Sequence, residues 1–240
     1  MHVGIFGDSF ADVRCDTDCT SWGNLLIQSL HSHRSESYGH TGTSNWYNYE
    51  VFLKNFTKYD AIVFCHTSAV RFPHLPEYML GKNWQVREPF EDTELKNLMP
   101  AYKMLFSDTL LDFISTSVFN SVNDLCKKHG KYLINVLCFS RVTHWYDITD
   151  TEFPILDNLS AISKYEKVIR NGQSISVIDI ISKEGVNDSR LCHLNVENNN
   201  RFATILKNAI DNKQLNIHSN LIEEYDWAEY DMNTTKLYGR

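Results

Sequence analysis

HVGIFGDSF (2–10) is the stretch that decides the fold. The apolar run from His2 to Phe6 is too short for a helix and stops at Gly7-Asp8-Ser9, which reads as a buried strand feeding a tight turn. Outward from it the same rhythm continues. SWGNLLIQSL (21–30) puts Trp22, Leu25, Leu26 and Leu30 at helical spacing behind a Ser21 cap. SESYG (35–39) predicts a short second strand, Ser44 to Phe56 a helix, and AIVFC (61–65) a continuous buried strand. Tyr102 to Lys128 predicts one helix or two, with Gly130 as the stop. KYLINVLCF (131–139) and SISVIDI (174–180) read as strands, and NVENNNRFATILKNAI (195–210) as a closing helix with Phe202, Ile205, Leu206 and Ile210 on one face. About five β segments alternating with helices predict an α/β chain: a three-layer α/β/α sandwich around a parallel sheet of about five strands.

Composition bounds the rest. A chain of 240 residues, 42% apolar and 12% aromatic, can bury one sizeable core. We expect one domain over 1–214 and a polar tail or arm over 215–240, through which the chain can assemble with itself or a partner. Residues 70–100 hold four of the five prolines (73, 76, 89 and 100) and read as a long loop insertion. The net charge is −7 and the basic residues are scattered, so no nucleic-acid surface is expected. The N-terminus shows no basic segment leading into a long apolar one, which points to cytosolic synthesis without a signal peptide. Apolar runs such as 61–65 fall far below the roughly 20 residues a membrane span requires. Cys65 and Cys138 sit in apolar runs as small hydrophobes, and Cys15 and Cys19 lack a second ligand pair nearby, so no metal is expected.

Three strand ends carry chemistry-bearing residues, and in parallel sheets function gathers at the carboxyl ends. The first delivers Ser9, with Gly7 permitting the turn and the Ser9 N–H free to face an anion. The second is Tyr38-Gly39-His40-Thr41-Gly42-Thr43-Ser44, whose glycines let backbone amides approach a substrate. The third is Cys192-His193-Leu194, which places an imidazole at a loop–helix junction, where it can act as a general base.

In order and spacing these segments resemble the SGNH/GDSL hydrolase family. GIFGDSF (4–10) is similar to its first block, with the nucleophile at Ser9. Ser21-Trp22 with Leu25-Leu26 resembles the start of its first helix. Residues 38–44 resemble its second block, in which Gly42 lends an amide to the oxyanion hole. Cys192 to Asn195 and the helix beyond resemble its fifth block, with His193 as base. The resemblance implies a flavodoxin-like sandwich and a cofactor-free esterase with Ser9, His193 and Asp188 as its catalytic set. It implies Ser9 and Gly42 around the oxyanion, with Thr67, or else Ser68, Arg71 or a backbone amide, in place of the third-block donor, and Asp8, Ser68 and Arg71 toward the substrate. The chain departs from the family twice. The third block's asparagine is missing from Cys65-His66-Thr67-Ser68-Ala69-Val70-Arg71, and Arg190 stands where an acid usually precedes the histidine, leaving Asp188 as the nearest carboxylate.

An ester of a small molecule or a glycan, such as an O-acetyl group, is the expected substrate, because Trp46, Tyr47, Trp84, His144, Trp145 and Tyr146 suit sugar stacking. Two other readings compete. One is an SGNH-like domain without activity, serving as a binding or structural module in a viral or cell-surface assembly. The other is a flavodoxin-like phosphate binder, against which stands the lack of any GxGxxG or Walker loop.

Overall fold

The computed structural model describes residues 1–15, 21–30, 34–69, 71, 105–138, 151–156, 167–170, 173–176 and 196–217. In chain order the elements are β1 (Val3–Phe6), α1 (Trp22–Ser29), β2 (Glu36–Ser37), α2 (Asn45–Asn55), β3 (Ala61–His66), α3 (Asp108–Lys128), β4 (Tyr132–Leu137), β5 (Ile155–Leu156), β6 (Lys167–Arg170), β7 (Gln173–Ser176) and α4 (Val196–Asn212). The first five strands form one parallel sheet in the order β2-β1-β3-β4-β5. Chain order reverses between β1 and β3, which makes their carboxyl ends the switch point at which such sheets place their sites.

The strands alternate between two cores. Val3, Ile5, Ala61, Val63, Cys65, Ile134 and Val136 pack with Trp22 and Leu26 of α1 and with Phe202, Leu206 and Ile210 of α4. Their neighbours Phe6, Ile62, Phe64 and Leu133 pack with Phe52 of α2, with Phe56 and Tyr59, and with Val118, Val122 and Cys126 of α3. A strand buried on both faces reads as a continuous apolar run, which is why 61–65 was legible without alternation. The result is the expected flavodoxin-like three-layer α/β arrangement.

Each of the first three helices starts where a serine satisfies an orphan amide. Ser21, Ser44 and Ser107 accept from the N–H groups of Asn24, Tyr47 and Leu110. The Ser107 cap starts α3 at Asp108; of the predicted helical stretch from Tyr102, residues 102–104 lie outside the described set and Leu105 is helical. At the open margin of the sheet, the Tyr38 and Tyr59 hydroxyls both donate to the Glu36 carboxylate, holding β2 onto the body of the domain. Beneath α3, His66 Nε2 meets Asn135 Oδ1 at 2.9 Å. Burial keeps that imidazole neutral, with its pKa pushed down to about 4 against the opposing Asn135 bond.

One strand assignment is corrected. The fifth strand of the sheet is Ile155–Leu156, whereas the predicted strand 174–180 begins within β7, which pairs with β6 in a separate antiparallel ribbon. Residues 177–180 lie outside the described set, as do most of the predicted insertion (70 and 72–100) and tail residues 218–240. Gln214 and Ile217 still belong to the domain: the Gln214 carbonyl accepts from the Tyr132 hydroxyl at 2.6 Å, and Ile217 is buried in the core.

The first and last described helices, α1 and α4, meet on one face. The Trp22 ring lies edge-on to Phe202, with centroids 5.2 Å apart, and the Trp22 N–H donates to Asn199 Oδ1 at 2.9 Å. Trp22→Ala is expected to cost about 3–5 kcal/mol of unfolding free energy, read from urea denaturation. Trp22→Phe should cost much less, because the buried indole N–H has no hydrogen-bond partner among the described residues.

Candidate functional site

The first loop is pressed against β3. Gly7 has φ 154°, and a Cβ there would stand 2.5 Å from Cys65 Cβ, so only glycine fits. Asp8 follows at 0% exposure, its Oδ1 accepting from the Phe10 N–H at 3.1 Å, while the Ala11 N–H closes the turn onto the Asp8 carbonyl at 3.0 Å. Ser9 rides on this turn at 8% exposure. Among the described residues neither its hydroxyl nor its N–H makes a hydrogen bond.

The second loop runs alongside the first. The Tyr38 N–H donates to the Ile5 carbonyl at 2.7 Å and the His40 N–H to the Gly7 carbonyl at 3.0 Å. Gly39 lies so close that an added Cβ would meet the Ala11 carbonyl carbon at 2.2 Å. Gly42 is buried with φ 79°, the left-handed conformation that favours glycine, and its N–H likewise has no partner among the described residues. Asp12 fastens the loop. It accepts from the Thr41 N–H at 2.9 Å and from the Arg14 Nε at 2.9 Å, and Arg14 Nη2 reaches on to the Gly39 carbonyl at 3.1 Å. Burial alone would raise the Asp12 pKa, but the hydrogen bonds from Arg14 and Thr41 outweigh it and hold the carboxyl at about 2.

The third loop is held from two sides. Asn45, in the first turn of α2, accepts from the Thr67 N–H at 2.8 Å, and its Nδ2 donates to the Thr67 carbonyl at 2.9 Å and to Ser115 Oγ at 3.1 Å. The Thr67 hydroxyl donates to Asp8 Oδ2 at 2.5 Å. Arg71 Nη2 lies 3.2 Å from the same oxygen, and Nη1 donates to the Thr43 carbonyl at 3.3 Å. One carboxylate and one guanidinium thus tie all three loops together.

The structure therefore brings five of the sequence-predicted residues, Asp8, Ser9, Thr67, Ser68 and Arg71, to one edge of the sheet, with Gly42 next to Thr43 in the same network. Asp8 and Arg71, expected toward the substrate, face each other: both are buried, at 0% and 5% exposure, and each neutralises the other. The Thr67 hydroxyl, expected at the oxyanion, is engaged by Asp8. Asn45 was missed, and nothing in the sequence marks it beyond its place after the Ser44 cap. His193 and Asp188 lie outside the described residues, as do Trp84, His144, Trp145 and Tyr146. The helix that follows His193 is described. Its residue Asn199 holds the first amide of α1, and α1, as the crossover between parallel β1 and β2, begins at the carboxyl edge.

Among the described residues no group of three or more His, Cys, Asp or Glu side chains could hold a metal ion, and no helix is long and apolar enough to cross a membrane. Cys65, Cys126 and Cys138 are buried free thiols. A separate cleft of about 280 Å³, lined by Phe119, Asn123, Lys127, Thr151, Glu152 and Phe153, opens between α3 and the residues ahead of β5, toward the amino ends of the strands. No protein-family model, curated protein or solved structure matches this chain.

Two outcomes follow from this electrostatic framework. Arg71→Met strands the Asp8 charge and should cost about 3–5 kcal/mol, whereas adding Asp8→Asn should recover part of that loss, measurable as coupling in a double-mutant cycle by chemical denaturation. Asp12 stabilises the fold only while ionised, so its contribution is present above about pH 4 and lost as pH falls toward 2. Asp12→Asn should be less stable than the parent at pH 7, by about 1–2 kcal/mol given that Arg14 is largely solvated, and the two should converge by acid titration of stability.

Proposed function

We propose that the chain is an ester hydrolase of the SGNH/GDSL type, with Ser9 as nucleophile and His193 as general base. The observation that carries this reading is the state of the Ser9 turn. A hydroxyl and two backbone amides, those of Ser9 and Gly42, stand at the carboxyl edge without partners among the described residues, beside a buried ionic network. Groups left in that state suit a reaction that develops negative charge on a carbonyl oxygen. The entry of α4 beside the start of α1 also supports it, because His193 lies three residues before Val196.

In this reading Ser9 Oγ attacks the ester carbonyl while the His193 imidazole takes its proton. The Ser9 and Gly42 N–H groups receive the oxyanion of the tetrahedral intermediate. Collapse expels the alcohol, protonated by His193, and water then releases the acyl group by the same route. Asp188, or a backbone carbonyl, orients the imidazole. Trp46, at 40% exposure, and Tyr47 open α2 directly after the Gly42 loop, which favours a glycan ester such as an O-acetyl sugar.

One observation favours a second reading, a binding module that has lost activity. At the third loop both the hydroxyl and the amide of Thr67 are engaged inside the protein. Turnover of p-nitrophenyl acetate and labelling by a fluorophosphonate separate the two. The hydrolase reading expects labelling at Ser9 that vanishes in Ser9→Ala, with kcat falling by roughly three orders of magnitude or more. A folded parent protein, by circular dichroism, that neither turns over nor labels would establish the binding module instead.

A further inference from the structure

Glu36, Tyr38 and Tyr59 gather more oxygen than their protons can bridge. The Tyr38 hydroxyl lies 2.5 Å from Glu36 Oε2, the Tyr59 hydroxyl 2.7 Å from the same atom, and the two phenol oxygens are 2.7 Å apart. Every edge of this triangle has hydrogen-bond length. A phenol carries one proton and an ionised carboxylate none, so two protons serve three edges. With both phenols donating to Glu36, the Tyr38–Tyr59 edge brings two oxygens together with no hydrogen between them. A proton on Glu36 would relieve that edge, but the bonds from Tyr38 and then Tyr59 hold the carboxyl below its ordinary range. Lys58 does not relieve it either: its ammonium sits 6.0 Å from the centre of the Tyr38 ring and donates to Asn55 Oδ1 at 2.7 Å. The triangle is short of positive charge.

Packing holds the three oxygens where they are. Gly4 pairs with Glu36 across β1 and β2, and a Cβ on Gly4 would meet Tyr59 Cδ2 at 2.4 Å, so the missing side chain is what admits the Tyr59 ring over β1. Tyr38 stacks on Phe6, with centroids 5.1 Å apart and planes 7° from parallel, and Tyr59 meets Phe6 edge-on at 6.3 Å. Tyr59 is buried, Tyr38 half-buried and Glu36 exposed, so the rings are anchored while the carboxylate is open to solvent.

Three oxygens on one face of an octahedron stand about 2.8–3.0 Å apart when metal–oxygen bonds are about 2.0–2.1 Å long, within a few tenths of an ångström of the spacing here. Phenolate and carboxylate are hard, basic donors that suit a small, highly charged ion, and phenolate is an established ligand of iron. Divalent ions such as Mg2+ compete less well for phenol protons near neutrality. We propose that Glu36, Tyr38 and Tyr59 form a binding site for ferric iron at the β2 margin, with water or a small anion completing the coordination. On binding, the two phenols release their protons to solvent and three oxygen–iron bonds form; the iron stays ferric and no electron moves. The ion ties β2 to the chain just ahead of β3. This site is independent of the hydrolase reading.

The test adds ferric nitrilotriacetate to the full chain and reads visible absorbance, where phenolate-to-iron charge transfer gives a band that the chelate lacks. One iron per chain is expected, with the band growing as pH rises because protons compete for the phenols. Tyr38→Phe and Tyr59→Phe should each remove much of the band. Glu36→Gln should weaken binding by at least the roughly 10–100-fold that loss of an outer-shell partner costs. Tyr49→Phe, outside the triangle, should behave as the parent, and circular dichroism checks each fold. A parent protein that develops no band overturns the proposal. A band that survives both phenylalanine variants also overturns it, since the iron is then held elsewhere. Should the buried Tyr59→Phe fail to fold, Tyr38→Phe and Glu36→Gln decide: parental binding in both overturns the site.

Discussion

The arrangement of the carboxyl edge depends on a single buried ion pair. Asp8 and Arg71 sit in a region with almost no solvent, where an isolated charge of either sign would be prohibitively costly. Each is tolerated only because the other is there, together with the Thr67 hydroxyl, the Phe10 amide and the Thr43 carbonyl. Those partners belong to three loops that leave three different strands. The pair therefore acts as a geometric constraint: if any loop moves, a charge loses its compensation. Buried pairs of this kind add little net stability over apolar packing, and their value lies in specifying one arrangement.

That constraint explains why the groups beside it can remain unmatched. Gly7 brings the first loop into contact with Cys65, and Gly39 brings the second against Ala11. With so little room for the backbone to relax, the Ser9 and Gly42 amides are not drawn into the local hydrogen bonds that a freer loop would form. For the proposed hydrolysis, a site preorganised in this way would meet developing charge without rearranging first.

Much of this was legible from the residues. The largely apolar runs at 2–6, 61–65 and 131–139 announced buried strands, and serine caps marked helix starts. Gly7, Asp8, Thr67 and Arg71 all stand just after the apolar runs that mark strand ends. What sequence could not show was which of them face inward. A carboxylate and a guanidinium 63 positions apart look like two polar loop residues until folding places them 3.2 Å apart. Asn45 escaped for a related reason, since an asparagine after a cap is ordinary and its function lies in contacts to residues far along the chain. Strand β5 is only two residues long and follows Pro154, so it offered no run to detect. The β6–β7 ribbon did leave a trace: Asn171-Gly172 separates its strands in the sequence, a dipeptide favoured in tight hairpins.

The clasp of Tyr38 and Tyr59 on Glu36 has a consequence beyond holding β2 in place. A sheet margin normally offers a row of vacant amides and carbonyls on which a stray polypeptide can dock and propagate. On this flank the margin is a strand of only two residues, which leaves little length along which a second strand could pair. The shortness of β2 thus limits edge-to-edge pairing with another copy, while the clasp keeps those two residues seated against β1.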